Sequence, residues 1–217
     1  MTHERSAPAA IADLDHLVLR LFAMVSEGLA AAIRAFLDGD REAARALVAA
    51  DQTVDSMEAV LEELINRELS ASPSPATDAV RRLVAVLRIV PELERSGDLV
   101  EHIALRTPQG MAALLSPRAR GLIEQMGDDG VRMWRAAATA YAHRDPDVAD
   151  SLRLIDDHLD DLHVSLSAEL SQCLTSVPVA IEMGLIARFL ERLGDHAVNV
   201  ARRVQDLCVD APVPVSS

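Results

Sequence analysis

The chain contains few of the residues on which β-sheet cores and disulfide-rich folds depend. Among its 217 residues there are three Phe, one Trp, one Tyr and two Cys. Its core must therefore consist mainly of Ala, Leu and Val, which suits closely packed helices better than sheets. The two cysteines, Cys173 and Cys208, have no metal-type spacing. We therefore expect reduced thiols in a cytosolic protein rather than a disulfide framework.

Lysine is absent, and all 21 basic residues are arginine, against 34 acidic residues and a formal net charge of −13. Such an excess of negative charge argues against nucleic acid, or an anionic membrane surface, as a partner. It is compatible with a bound cation or with docking onto a basic protein surface. Half of the residues are hydrophobic, which is enough to form a sizeable core.

Long uninterrupted hydrophobic runs are also missing. The apolar-rich segment 17–37 contains Arg20, Glu27 and Arg34, so it is predicted to be an amphipathic helix rather than a membrane span. Residues 1–8 carry charges and lack the apolar stretch of a signal peptide. We therefore expect a soluble protein of the cytoplasm.

Turn and cap residues divide the chain into six helical segments, and no run shows the two-residue alternation of a strand. Helix starts are predicted at Asp40, at Ser116 with Pro117 behind it, and at Asp145-Pro146. Pro91 is expected to kink or split the third segment. The predicted helices cover roughly residues 11–37, 41–69, 77–106, 116–142, 145–173 and 177–206.

The two halves of the chain repeat each other. The pattern Leu-Glu-Arg-x-Gly-Asp occurs at 93–98 and again at 190–195, an offset of 97 positions. At an offset of 105, the second and fifth helices also align. The sequence therefore predicts an all-α fold of six helices forming two tandem repeated antiparallel three-helix bundles. The predicted bundles span residues 11–107 and 116–208, and the tail at 209–217 is expected to be disordered.

Each repeated motif places two carboxylates four residues apart on one face of a helix. A helical wheel puts Glu94 in the apolar stripe of the third helix and Asp98 at its edge. A carboxylate facing the core must be paired, protonated or bound to a metal. The second and fifth helices supply matching Asp-x-x-x-Asp pairs. The predicted metal ligands are Asp51, Asp55, Glu94 and Asp98 in the first half, and Asp156, Asp160, Glu191 and Asp195 in the second.

Sets of helical carboxylates bind hard cations such as Fe, Mn or Mg, whereas zinc is less favoured because no cysteine is well placed. His102 and His196 are possible additional ligands. Two other interpretations stay open. The carboxylates could form a solvated acidic face, or they could pair with Arg95 and Arg192 in a structural ion-pair network. The shared glycines, Gly97 and Gly194, indicate either close helix approach or room for something bound.

An enzymatic alternative is a carboxylate-bridged metalloenzyme built on a helical bundle. Such bundles typically supply Glu-x-x-His motifs, and neither repeated motif places histidine three residues after glutamate. No glycine-rich phosphate loop or nucleophile elbow is present either.

The segments 190–201 (LERLGDHAVNVA) and 93–104 (LERSGDLVEHIA) resemble the twin signatures of the PhoU family, and 75–81 (PATDAVR) is similar to the string that precedes the first signature. The resemblance extends from about residue 11 to residue 207. The second signature is the better match, because Leu99 and His102 replace the signature's His and Asn in the first. On these grounds the second metal site is expected to be the better of the two.

The resemblance implies a non-enzymatic regulator that binds multinuclear iron, or other metal ions such as Mn, Zn or Mg, through the eight carboxylates named above. It implies negative regulation of phosphate uptake and of the phosphate-starvation response. The expected partners are a phosphate ABC transporter subunit and a sensor histidine kinase. The expected assembly is a homodimer.

Overall fold

The computed structural model describes residues 7–71, 77–172 and 176–208. Its six long helices confirm the predicted fold class, and the described residues contain no strand. Two short 3-10 turns, Thr107–Gln109 and Met111–Leu114, connect the halves. The helices are α1 (Ala7–Asp38), α2 (Arg41–Ala71), α3 (Thr77–Ala104), α4 (Pro117–His143), α5 (Val148–Gln172) and α6 (Val177–Cys208).

The helices form two three-helix bundles, α1–α3 and α4–α6, that share one hydrophobic core. Within each bundle every helix packs along a neighbour, and α1 against α4 and α3 against α6 join the bundles. The motif helices α3 and α6 therefore lie next to each other at the junction. The partner helices α2 and α5 lie on opposite flanks, which separates the two groups of predicted ligands.

Two of the three predicted helix starts are confirmed. The Asp40 carboxylate accepts hydrogen bonds from the backbone N–H groups of Glu42 and Ala43, so it caps α2. The Ser116 hydroxyl accepts from the Ala119 N–H at the start of α4. The third predicted start is three residues early: Asp145 accepts from the N–H of Asp147 within a turn, and α5 begins only afterwards. An aspartate before a proline can begin a turn as well as a helix.

Pro91 does not split the third helix, because α3 runs without interruption from Thr77 to Ala104. A proline costs a helix one backbone hydrogen bond, and packing on three neighbouring helices outweighs that local penalty. The predictions for Cys173 and for the tail at 209–217 fall outside the described residues.

The first helix is apolar enough to have two interpretations. By length and composition alone, Ala12–Asp38 would pass as a membrane-spanning helix. In the structure its apolar side chains form the centre of the core, where Val18, Leu21, Phe22 and Leu29 have no exposed surface. A buried core helix meets the same compositional test as a span, and burial explains the hydrophobicity of α1.

The contact between α1 and α4 is unusually close because α4 carries glycine at the crossing. A Cβ atom built on Gly127 would lie 2.8 Å from Cγ1 of Ile33, and one built on Gly130 would lie 3.0 Å from Cδ2 of Leu29. One turn further on, the fully buried indole of Trp134 packs against Phe22, with ring centroids 6.1 Å apart. Glycines and aromatic rings together therefore set how tightly the two bundles fit.

The contact between α3 and α6 is partly polar. The buried Ser96 hydroxyl lies 3.0 Å from Nδ1 of His196 and donates to the backbone carbonyl of Glu92. Near the other end of the seam, Arg106 pairs with Glu182 at 2.9 Å. These contacts fix the register of the two motif helices and hold the carboxylates of each motif on the outer side of the seam.

Candidate metal centre

Three predicted ligands of the first half come together between α2 and α3. One carboxylate oxygen from each of Asp51, Asp55 and Asp98 lies within 4.8 Å of the other two. Asp51 and Asp55 share a face of α2 because they are four residues apart, and antiparallel packing brings α3 across that face. Three oxygens at this separation are close enough to ligate one cation, given metal–oxygen distances of about 2.0–2.6 Å.

Glu94, the fourth predicted ligand, belongs to the same cluster electrostatically. Burial, followed by the nearby charges of Asp98, Glu58 and Asp55, raises the pKa of Glu94 to about 7. A carboxyl group with this pKa holds its proton through much of the acidic range. It is the group whose charge a bound cation would stabilise most.

The pKa of Asp51 is raised in the same way, and the charges that raise it identify a further member of the cluster. Burial and then the charges of Glu101, Asp55 and Asp98 raise the pKa of Asp51 to about 6. The cluster therefore contains six carboxylates rather than four, since Glu58 and Glu101 join the predicted set. Both lie seven residues after a predicted ligand, Glu58 after Asp51 and Glu101 after Glu94. Heptad spacing is thus the signal in the sequence that points to them.

The glycine in each motif provides the close approach that its repetition predicted. A Cβ on Gly97 would lie 3.1 Å from Cγ1 of Val54 and 3.4 Å from Oδ1 of Asp51. In the second half, a Cβ on Gly194 would lie 2.6 Å from Oδ1 of Asp156. In both halves the glycine therefore leaves room for the first aspartate of the partner helix to reach inward beside the motif.

The predicted ligands of the second half form a looser group between α5 and α6. Burial and the charges of Asp195, Asp160, Asp157 and Glu191 raise the pKa of Asp156 to about 6. All of these residues are described, yet their oxygens do not converge within the 4.8 Å that the first-half aspartates reach. The two halves therefore share a design but differ in how closely the oxygens approach.

Two basic side chains add a second difference between the halves. Nδ1 of His163 lies 2.7 Å from Oε2 of Glu191, and the Arg188 guanidinium pairs with Oε1 of the same carboxylate. The repeat places Glu58 and Pro91 at the equivalent positions of the first half. The second-half glutamate is thus already neutralised by protein groups, whereas the first half adds a further carboxylate. The first-half oxygens thus converge more closely, whereas the signatures rank the second site higher.

The structure does not bring the two additional histidine candidates to the carboxylates. The ring of His102 packs on Phe189, with centroids 5.5 Å apart. His196 is buried at the α3–α6 seam, against Ser96 and near Glu92. Instead, His163 is the histidine that reaches a predicted ligand. It lies seven residues after Asp156, so the heptad spacing that identifies Glu58 identifies it too.

The raised pKa values predict a pH-dependent stability for the metal-free protein. A carboxyl group whose pKa is higher in the folded state than in the unfolded state favours folding below its unfolded pKa. That contribution is lost as the pH rises through the folded pKa. For Asp51 and Glu94 the loss falls between about pH 4 and about pH 7. The double variant Asp51→Asn with Glu94→Gln removes both groups. We expect its Tm to approach that of the wild type at low pH and to exceed it increasingly as the pH rises.

The measurement is thermal unfolding, followed by circular dichroism, across this pH range in metal-free buffer. The control is Glu124→Gln with Asp128→Asn, which makes the same two kinds of substitution at exposed carboxylates of α4 outside both clusters. A constant Tm difference between the Asp51/Glu94 variant and the wild type at all pH values would contradict the prediction.

Fold and site together define an all-α protein with a duplicated carboxylate cluster. A family model described as the PhoU domain matches residues 18–107 and 123–204. The chain therefore belongs to the PhoU family. The two matched segments coincide with the two structural repeats.

Sequence relatives and solved structures agree with this assignment. The chain is 31% identical over 179 residues to the phosphate-specific transport system accessory protein PhoU homolog 2 of Mycobacterium tuberculosis, covering 80% of this chain and 82% of the relative. It is 32% identical to homolog 1 of the same organism, covering 80% and 79%. The crystal structure of PhoU from Pseudomonas aeruginosa superposes with a TM-score of 0.84 at 26% identity, covering 92% of this chain and 97% of that one.

Proposed function

We propose that this protein is an accessory protein of phosphate transport whose carboxylate clusters bind metal ions. Its relatives carry that transport role in their names, and family membership supports extending the role to this chain. The observation that carries the metal-binding part is the convergence of Asp51, Asp55 and Asp98 within 4.8 Å. The charges that raise the pKa of Asp51 all come from carboxylates, whereas Arg95, the candidate for an ion-pair network, pairs with Glu92 at 3.3 Å.

The donor set determines which cations fit the first-half cluster. Asp51, Asp55, Glu94 and Asp98 offer only oxygen, which favours hard cations over those that prefer sulfur or imidazole. Iron is the first candidate, with manganese or magnesium as the nearest alternatives and zinc after them. The bound cation would neutralise carboxylates that otherwise repel one another. Glu58 and Glu101 would add to the negative potential that attracts it.

The second-half cluster is proposed as a weaker site of the same kind, formed by Asp156, Asp160, Glu191 and Asp195. There a cation would have to compete with His163 and Arg188 for the Glu191 carboxylate. The affinity for a cation is lower where basic side chains of the protein already pair with the carboxylate that would bind it.

The regulatory part of the proposal is an adaptor role without catalysis. The protein would link a phosphate ABC transporter subunit to a sensor histidine kinase, as a cytoplasmic homodimer, and repress phosphate-uptake genes when phosphate is plentiful. Metal ions between α2 and α3 and between α5 and α6 would then stabilise the flanks of the adaptor. Membership of the PhoU family supports this role.

Deleting the gene in its source organism tests the regulatory role. In phosphate-rich medium we expect transcripts of phosphate-uptake genes to rise in the deletion strain, because the repressing adaptor is missing. The wild-type gene should restore repression, and so should the control Glu124→Gln with Asp128→Asn, which leaves the clusters intact. The variant Asp55→Asn with Asp98→Asn should restore it less completely.

The transcripts are quantified after deletion of any other PhoU-family gene in the same genome, so that a relative cannot compensate. Normal repression in that strain would contradict the regulatory role. Full repression by the Asp55/Asp98 variant would show that regulation does not require the first-half metal site.

A further inference from the structure

A cavity of about 490 Å³ lies where α3 begins and α6 ends. It is distant from the first-half cluster, since Arg82 and Glu94 are twelve residues apart on α3, or about 18 Å along the helix axis. The proposed metal sites do not use it. Its lining consists of Asp78, Ala79, Arg81, Arg82, Arg144, Leu207 and Cys208.

The charge of this lining contrasts with the rest of the molecule. The chain as a whole carries a net charge of −13. Around the cavity, however, three guanidinium groups outnumber their carboxylate partners, since Asp78 pairs with Arg81 at 3.6 Å and Asp15 pairs with Arg82. Like charges gathered in one concavity repel each other unless an anion enters between them.

Arg82 is held in place from behind the cavity. Its guanidinium pairs with Asp15, whose Oδ1 also accepts the Tyr141 hydroxyl at 2.8 Å. Burial and the nearby charge of Arg144 lower the pKa of Arg82 from its ordinary value. A guanidinium that is partly buried, oriented by a carboxylate and close to a second cation is pre-organised for an anion.

Arg144 is held at the cavity by an uncommon backbone conformation. Its φ of 55° and ψ of 52° lie in the left-handed region. Among the described residues, Arg144 is the only one other than glycine that has a positive φ. Its N–H donates to the Ala140 carbonyl, and its own carbonyl accepts from the Cys208 thiol at 3.2 Å. Glycine would adopt this conformation without strain. The left-handed conformation ends α4 as a C-terminal cap and places the Arg144 side chain at the cavity that it lines.

From this arrangement we propose that the cavity binds a small phosphate-bearing anion through Arg81 and Arg144, with Arg82 positioned by Asp15 at its wall. Guanidinium groups donate paired hydrogen bonds that match the geometry of phosphate oxygens. The volume lies within the range of small-molecule sites, and Ala79 and Leu207 add an apolar side. Inorganic phosphate and a nucleotide share this chemistry. The site is independent of the proposed metal centres and extends the proposed function.

Calorimetric titration of the full-length, metal-free protein with inorganic phosphate, AMP, ATP and sulfate tests the proposal. Metal-free conditions are essential, because a cation in the carboxylate clusters would itself bind phosphate. We expect saturable binding of inorganic phosphate or of a nucleotide, and the stronger of the two identifies the source. Sulfate should bind more weakly than the preferred phosphate compound, because a specific site distinguishes ligands by shape and hydrogen bonding as well as by charge.

The informative variant is Arg144→Gly, which removes a guanidinium and also relieves the left-handed strain, so that folding should not suffer. It should weaken binding by roughly tenfold or more, the loss expected for a charge-assisted hydrogen bond. Arg153→Gln, an exposed arginine on α5, removes the same charge elsewhere and should leave affinity unchanged. Asp55→Asn with Asp98→Asn should also bind as the wild type does.

Three outcomes would overturn the proposal. The first is no saturable binding up to the millimolar range, and the second is equal affinity of Arg144→Gly and the wild type. The third is binding that appears only when metal is added and disappears in the Asp55/Asp98 variant. That result would assign phosphate to the metal centre and leave the proposed metal binding intact.

Discussion

Replacing Asp55 and Asp98 with asparagine is expected to weaken metal binding at the first-half cluster by at least roughly a hundredfold. The reason is that the double variant removes two charged ligands from a site whose oxygens lie within 4.8 Å. Asparagine keeps the size and shape of each side chain, so the helices should pack as before. The variant should be as stable as the metal-free wild type, or more stable, because two repelling charges are gone.

The matched comparison is Asp160→Asn with Asp195→Asn at the equivalent positions of the second half. We expect the smaller loss there, because His163 and Arg188 already engage Glu191. The measurement is calorimetric titration of each metal-free protein with Mn²⁺ and, without oxygen, with Fe²⁺. Elemental analysis of gently purified protein supplements it. A larger loss from the second-half variant would show that the two sites are ranked wrongly. Wild-type affinity in both variants would mean that these carboxylates are not metal ligands.

Replacing Gly127 with alanine is expected to destabilise the protein by about 1–3 kcal/mol, the usual cost of overpacking a core. The new methyl group would lie 2.8 Å from Cγ1 and 3.1 Å from Cγ2 of Ile33, a β-branched side chain with few alternative rotamers in a helix. Either the rotamer of Ile33 must change or α1 must move away from α4. Movement of α1 would loosen the join between the two bundles.

Gly121→Ala on the same helix is the control, because Gly121 is exposed. Apart from the helix's own backbone and the two chain neighbours, no atom lies within 4 Å of the position that the new methyl group would take. There the better helix propensity of alanine should stabilise the protein by up to about 1 kcal/mol. Urea unfolding of both variants gives the comparison. If the Gly127→Ala protein is as stable as the Gly121→Ala protein, the α1–α4 contact is not tight.

The repeat explains why the two halves have related sites and why these sites differ. Gly97 and Gly194 perform the same task, since each leaves space for the first aspartate of the partner helix. The differences lie one or two turns away, where Glu58 and Pro91 in one half stand in place of His163 and Arg188 in the other. The two halves therefore share a helical frame but differ in its neighbours: Glu191 pairs with two basic side chains, whereas Arg95 beside the first-half cluster pairs with Glu92.

Much of the fold is predictable because its signals are local. The caps at Asp40 and Ser116 and the apolar periodicity of six segments each depend on residues within one or two turns. Predictions fail where local signals conflict with packing. Pro91 by itself predicts an interruption of α3, but the contacts of α3 with three other helices keep it continuous. Asp145 by itself predicts the start of α5, but its carboxylate is used in the preceding turn.

The sequence predicts which carboxylates share a helix face, but not how closely their oxygens approach one another in the fold. The spacing of four residues identifies eight carboxylates, and a spacing of seven adds Glu58 and His163. No spacing shows that His196 turns toward Ser96 instead of joining Asp195. The direction of a side chain at a helix junction depends on the helix it meets, which is distant in sequence.

By itself, the sequence determined the helices, the tandem repeat and the carboxylate pairs, because periodicity, caps and spacing operate over a few residues. Only the tertiary structure decided how closely the oxygens of Asp51, Asp55 and Asp98 converge, and that Glu191 has its own basic partners. It also gathered Arg82 and Arg144 from different halves of the chain around one cavity. Electrostatic energies depend on distance and burial, and both are set by helix packing rather than by order along the chain.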